Sequence, residues 1–222
     1  MYQYTYVMNT TDNIPVHATL LVAPGCPHCP QVKQAMKDLL EQSKISSLEL
    51  VDISTDLERA EQFGVRSVPW LKLNSLELQG SYSPDELGYW VEQAGTAEGR
   101  QALFDSLLEV GQLAQVEAML HRDPSGLSDL LVLFADQTRQ INVRIGASAV
   151  LEGLEGSGLL EAIVDELGAL TSHGDASTRT DACHALSFIQ LPASKRYLQA
   201  AVGDPHPDVR ETAADSLETL NT

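Results

Sequence analysis

Two cysteines separated by two residues form the part of the sequence best suited to chemistry. Cys26 and Cys29 enclose Pro27 and His28, a spacing that brings two thiols within reach of a disulfide. Thiol–disulfide exchange needs one sulfur as a thiolate, and a helix N-terminus favours an anion because of its free N–H groups and its macrodipole. A helical pattern starts directly after the motif. The sequence therefore predicts a redox-active pair in which Cys26, the outer residue of a turn, is the nucleophile and Cys29 is the resolving thiol.

The histidine inside the motif bears on how oxidising the pair is. In the predicted turn, His28 can donate a hydrogen bond to the Cys26 thiolate. This bond would stabilise the reduced form and make the disulfide more oxidising. The alternative is a solvated turn residue without such a role, and we favour the tuning role.

A pair of cysteines at this spacing can also be half of a zinc site. The second half would have to come from Cys183 and His184, which lie in the other half of the chain. We therefore expect no metal and no organic cofactor. The redox group would be the Cys26–Cys29 disulfide itself.

The residues around the motif predict a small α/β domain with one sheet. Strands are predicted at 16–22, 48–53, 70–73 and 76–79, and helices at 31–42, 56–63 and 83–94. The first helix should bury one face made of Val32, Ala35, Met36, Leu39 and Leu40. Ser83 and Glu86 predict a capping box, Asn74-Ser75 predicts a hairpin turn, and Trp70 is expected in the core.

This pattern resembles the thioredoxin/glutaredoxin superfamily over roughly residues 16–95. The likeness rests on a strand, the motif, a helix, and then Val68-Pro69 before another strand. It implies a cis Val68–Pro69 bond beside the dithiol, in a groove that holds substrate backbone. The dipeptide inside the motif matches that of DsbA-type oxidants. Thioredoxins proper carry a Trp directly before the motif and a buried Asp six residues before its first cysteine, where this chain has Gly25 and Leu20.

The second half of the chain contains an internal repeat. Arg144, Arg179 and Arg210 are 35 and 31 residues apart, and each is followed by Ala three residues later and Leu seven residues later. Each repeated helix follows an apolar helix, predicted at 127–135, 159–170 and 195–201, and residues 101–121 predict one more hairpin. The pattern is similar to short HEAT repeats of the PBS-lyase type, over about residues 126–221. Such units stack into a solenoid because no single pair buries its own apolar face.

The cysteine, the histidine beside it and the repeated arginines of the second half are expected to have structural roles. Cys183 aligns with small residues and is expected to be a packed core thiol, whereas His184 is expected at the surface. The repeated arginines are expected to bind the acidic turn of their own or the neighbouring repeat. The glycine-punctuated junction 94–99 predicts two domains, residues 1–95 and 96–222.

Composition narrows the functional classes. The 222 residues include 14 basic and 31 acidic side chains, a net charge of -17. Such a charge disfavours nucleic acids and anionic membrane surfaces as partners. No apolar run reaches the roughly 18 residues of a spanning helix. Met1–Tyr6 lacks the basic and apolar stretches of a signal peptide, so we expect a cytoplasmic protein.

These observations together predict a cytoplasmic thiol–disulfide oxidoreductase acting on protein disulfides or thiols. The helical repeats would dock protein partners. Two alternatives stay open: a scaffold or chaperone-like adaptor that has kept the fold, and an electron-relay domain for a dedicated peroxidase or reductase. The intact dithiol argues against the first. Reduction and oxidation both stay open, since potentials of such dithiols span roughly 150 mV.

Overall fold

The computed structural model describes residues 14–65 and 67–221. The chain divides into two compact units, residues 1–102 and residues 103–222. A domain boundary after residue 95 stays a prediction. The expectation for Met1–Tyr6 lies outside the described residues.

The N-terminal unit contains one mixed sheet and three helices. Its elements are β1 His17–Val22, α1 Cys29–Glu41, β2 Ser47–Asp52, α2 Leu57–Gln62, β3 Trp70–Leu73, β4 Leu76–Gln79 and α3 Pro84–Ala94. The strand order is β2-β1-β3-β4, with β1 and β2 parallel and β3 antiparallel to both β1 and β4. The predicted order of strands and helices is confirmed.

Different helices cover the two faces of the sheet. Leu21 and Trp70 are paired across β1 and β3 and belong to an apolar cluster with Ala60 of α2. Because side chains alternate along a strand, the neighbouring pair Leu20 and Leu71 points to the opposite face, where both are buried. α1 and α3 pack together and contact the sheet, so they cover that face. Trp70 is a core residue, as predicted.

The apolar face of α1 is narrower than predicted. Val32, Ala35 and Met36 are buried, and Leu39 is half-buried. Leu40 is exposed, so its assignment to the buried face is wrong. At 100° per residue, position 40 lies at the edge of the stripe, and in the last turn the edge faces solvent.

Two local signals in the sequence are confirmed. Ser83 and Glu86 form a capping box, in which the Ser83 hydroxyl accepts from the Glu86 amide and the Glu86 carboxylate accepts from the Ser83 amide. Asn74 forms the turn between β3 and β4 with a φ of +51°. Its side chain also accepts from the His17 amide and donates to the Ala94 carbonyl, which ties the hairpin to β1 and to the end of α3.

From residue 99 onward, the chain is built from paired helices. Their bounds are α4 Gly99–Glu109, α5 Leu113–Arg122, α6 Leu127–Ala135, α7 Ile141–Gly153, α8 Val164–Leu170, α9 Ala176–Leu186, α10 Pro192–Ala201 and α11 Pro207–Thr219. The pairs α6–α7, α8–α9 and α10–α11 are the three predicted repeats. The second helices α7, α9 and α11 pack side by side, and α5 packs against α7.

The helix predicted at 159–170 is two elements instead of one. Residues 159–163 form a 3₁₀ helix, and α8 begins only at Val164. Leu160 and Ile163 are both buried. In a 3₁₀ helix, side chains three residues apart lie directly above one another, so this geometry turns both side chains to the core.

Small residues let the second helices approach closely. Ala147, Ala182 and Ala213, the repeated alanines, are fully buried. The repeated leucines are buried to different extents: Leu151 is fully buried, whereas Leu217 is half-buried. The repeated alanines are therefore the close-packing positions of these helices.

The repeated arginines are structural, and two of them link neighbouring repeats. Arg179 on α9 donates to both carboxylate oxygens of Asp204, in the turn before α11, at 2.8 and 3.0 Å. This guanidinium holds the pKa of Asp204 below its ordinary value. Arg144 on α7 reaches Asp181 on α9 at 3.4 Å, at a helix instead of the predicted turn. Arg210 donates to backbone carbonyls of its own turn.

Candidate active site

The two cysteines of the motif form a disulfide at the N-terminus of α1. Their Cα atoms are 5.5 Å apart. Cys29 is the first residue of α1 and is 4% exposed, whereas Cys26 lies half-buried in the preceding turn. The Cys29 amide donates to the Cys26 sulfur at 3.1 Å. Cys26 is thus the more accessible sulfur and the one that a helix N–H contacts, while its role as nucleophile stays a prediction.

Glycine shapes the turn that presents Cys26. Gly25 has a φ of +80°, a left-handed conformation that L-residues rarely adopt. An added Cβ would meet no atom within 4 Å, so the requirement for glycine is conformational. The Cys26 amide closes the turn by donating to the Ala23 carbonyl at 3.3 Å. A tryptophan at position 25, as in thioredoxins, would therefore strain this backbone.

The N-terminus of α1 is free of competing anions. His28 occupies the N-cap position without a side-chain capping bond, and the first turn contains no acidic residue. Among the described residues, no group forms a hydrogen bond with the His28 ring, which is exposed. The Cys29 amide is consequently left to the Cys26 sulfur. Pro27, which precedes the N-cap, is also exposed.

The segment before β3 lies beside the disulfide. The Val68–Pro69 bond is cis, the isomer that the resemblance implies, and the Val68 carbonyl oxygen is 3.7 Å from the Cys26 sulfur. The Val68 side chain packs on the apolar cluster around Trp70. The sequence thus brings together residues 42 positions apart.

Two contacts that the sequence did not reveal hold this segment in place. The Gly80 amide donates to the Pro69 carbonyl at 3.0 Å, and the Gln79 side chain donates to the Ser67 hydroxyl. Both donors come from the end of β4, so they hold the chain on each side of Val68. The only sequence signal for them is the glycine that ends the strand.

A carboxylate lies at the end of the strand next to β1. The Ser54 hydroxyl and amide both donate to Asp52, which lowers the pKa of that carboxyl, and the charge of Lys33 lowers it further. Asp52 is paired with Val22, the last residue of β1 before the motif. It is ionised at neutral pH. At the place of the thioredoxin Asp, Leu20 is fully buried.

The third cysteine has no such surroundings. Cys183 is free and fully buried in α9, and burial raises the pKa of its thiol to about 11. His184 is exposed and packs edge-on against Phe188. Both predictions for these residues are confirmed. In the described part of the chain, no three His, Cys, Asp or Glu side chains are placed to hold a metal ion.

The comparisons with known proteins agree with the two units. Residues 16–92 match the thioredoxin domain family, and residues 128–218 match HEAT repeats. No curated protein matches the sequence. Within residues 14–65 and 67–221, no helix has the length and apolarity to cross a membrane. The chain therefore joins a thioredoxin domain with a CXXC pair to a run of HEAT repeats.

Proposed function

We propose that the protein is a cytoplasmic thiol–disulfide oxidoreductase that exchanges disulfides with protein substrates. The observation that carries the proposal is the Cys26 sulfur, half-buried, held by the Cys29 amide and placed 3.7 Å from the Val68 carbonyl. These contacts combine an accessible sulfur, an anion-stabilising helix end and a backbone acceptor beside it. A domain that only binds partners needs none of the three.

The reaction follows from the different exposure of the two sulfurs. In the reduced protein, the Cys26 thiolate attacks one sulfur of a substrate disulfide. A Cys26–substrate bond forms, and the other substrate sulfur leaves with the electron pair of the broken bond. Cys29 then loses its proton and attacks the Cys26 sulfur, which closes the Cys26–Cys29 disulfide and releases the second substrate thiolate. Two electrons pass to the substrate, and the reverse sequence oxidises a substrate dithiol.

The remaining residues of the site would position and tune these steps. Val68 and Pro69 would border the groove for substrate backbone, with Pro27 at its exposed side. His28 would stabilise the thiolate form of Cys26 and thereby raise the reduction potential. Since disulfide exchange at these two sulfurs is complete in itself, the reaction requires no metal or organic cofactor. The helical repeats would select the protein partner.

Turnover of insulin disulfides by the full chain, with dithiothreitol as reductant, tests the proposal. We expect Cys26→Ala to lose activity at least a hundredfold. Cys29→Ala should accumulate mixed disulfides through Cys26, visible as bands that disappear on reduction. Cys183→Ala is the matched control and should keep full activity, because its thiol is buried in the other unit. Equal rates for the wild type and Cys26→Ala would refute the proposal and favour an adaptor.

A further inference from the structure

A continuous groove runs along the second helices of the repeats. Two adjoining cavities of about 620 and 320 Å³ lie along α7, α9 and α11. Asp181 on α9 lines both cavities, so they form one groove that crosses all three repeats. We call it the repeat groove.

One end of the repeat groove is apolar. Ile141 and Ile145 of α7 line it and are 63% and 62% exposed. They are four residues apart, so they lie on the same face of the helix, one turn from each other. Two exposed isoleucines side by side offer apolar area that a partner can cover.

The rest of the repeat groove is acidic. Glu155 and Asp215 line it, and in the described part of the chain neither carboxylate forms an ion pair. Asp181 is paired with Arg144 at 3.4 Å. Even so, the pKa of Asp181 is raised, because the loss of solvent outweighs the attraction of Arg144. The groove thus holds more negative charge than its own cations balance.

We propose that the repeat groove binds a basic polypeptide segment that carries an apolar side chain for the Ile141–Ile145 end. The proposal rests on the proposed function, since the occupant would be part of a substrate or partner of the redox unit. Charge complementarity disfavours the other occupants. A second copy carries a charge of -17, and residues 1–13 of this chain contain no Lys or Arg. A nucleic acid is a polyanion and would be repelled.

Fluorescence polarisation with labelled synthetic peptides tests this inference directly. The probe is a 14-residue cysteine-free peptide of arginines and leucines; one companion peptide replaces Leu by Ser, and another replaces Arg by Glu. We expect the Arg/Leu peptide to bind the full chain and the other two to bind at least about fivefold more weakly. Equal binding of the Arg/Ser peptide would overturn the apolar half of the proposal, and binding of the Glu/Leu peptide would overturn the rest.

Substitutions in the repeat groove test whether the peptide binds at this site or is attracted only by the overall negative charge of the protein. Glu155→Gln with Asp215→Asn should weaken binding of the Arg/Leu peptide about fivefold to tenfold, and Ile145→Ser should weaken it by a similar factor. Glu98→Gln with Glu161→Gln removes the same charge from exposed residues that do not line the groove, and should leave the affinity unchanged. Equal losses in the two double variants would overturn the proposal.

The peptide assay is independent of the dithiol. Because the peptides contain no cysteine, Cys26→Ala should bind them as the wild type does. Peptide binding with no insulin turnover would refute the redox function alone. Insulin turnover without peptide binding would refute the repeat groove alone.

Discussion

Replacing His28 by aspartate is expected to make the Cys26–Cys29 disulfide harder to reduce. The N-terminus of α1 has no acidic residue in its first turn and no side-chain cap, so no such group competes with the Cys26 sulfur for the Cys29 amide. An aspartate at the N-cap would compete for the N–H groups of this helix end and place a second anion beside the thiolate. The disulfide is neutral, so the new charge acts mainly on the reduced form.

The size of the effect follows from the spacing. Position 28 is two residues from Cys26, so the two Cα atoms are within about 7 Å, and we take this distance as the separation of the charges. Their repulsion is about 0.6 kcal/mol at the dielectric constant of water and about 2.4 kcal/mol at the value of about 20 that applies near a protein surface. For a two-electron couple, about 30 mV corresponds to 1.4 kcal/mol. The potential should therefore fall by about 13–50 mV.

Equilibration in glutathione redox buffers measures this shift. The reduced fraction is read by acid quench, alkylation and mass spectrometry of the peptide that carries both cysteines. His28→Asn is the matched control, because asparagine caps a helix about as well as aspartate but adds no charge. A potential for His28→Asp equal to or above that of His28→Asn would refute the electrostatic account of this helix end.

Three further outcomes are expected. In the reduced protein, iodoacetamide should modify Cys26 at least about tenfold faster than Cys29, because Cys29 is 4% exposed and Cys26 is half-buried; equal rates would contradict the assignment of nucleophile and resolving thiol. Leu151→Ala should lower the free energy of unfolding by about 3–5 kcal/mol in urea titrations, and the half-buried Leu217→Ala by about 1–2 kcal/mol; equal losses would refute the burial difference. Asp204→Asn should be less stable than the wild type at pH 7. This difference in the free energy of unfolding should disappear as the pH falls below the ordinary carboxyl pKa of 3.8, because a carboxyl with a lowered pKa stabilises the fold only while it is ionised. A difference that persists in acid would exclude the ion pair as its cause.

Sequence patterns predicted those strands and helices whose ends are marked by a local signal such as a turn or a cap. The strands at 70–73 and 76–79 were predicted to the residue, because the turn at Asn74 separates them and marks where one ends and the other begins. The helix at 159–170 was predicted as one element, because the 3₁₀ segment depends on burial of Leu160 and Ile163 against other helices. Sequence periodicity carries no information about that packing.

The candidate site also has a part that the sequence predicts and a part that depends on tertiary contacts. Spacing alone predicts the dithiol and places it at the start of a helix. The hold on Val68–Pro69 comes from Gly80 and Gln79, which reach it only once β3 and β4 are paired. Contacts of this kind follow from the register of the sheet, and a single sequence does not specify register at that level.

The link between Arg179 and Asp204 bears on how such an array can change in length. The arginine lies in the first turn of the second helix of one repeat, and its carboxylate partner lies in the turn before the second helix of the next. Duplication of the 31 residues from 180 to 210, which contain both Asp204 and Arg210, would supply both halves of a new link at once. Insertion of half a repeat would leave an arginine without its carboxylate and an apolar helix face without its neighbour. The array is therefore suited to lengthen or shorten by entire helical pairs.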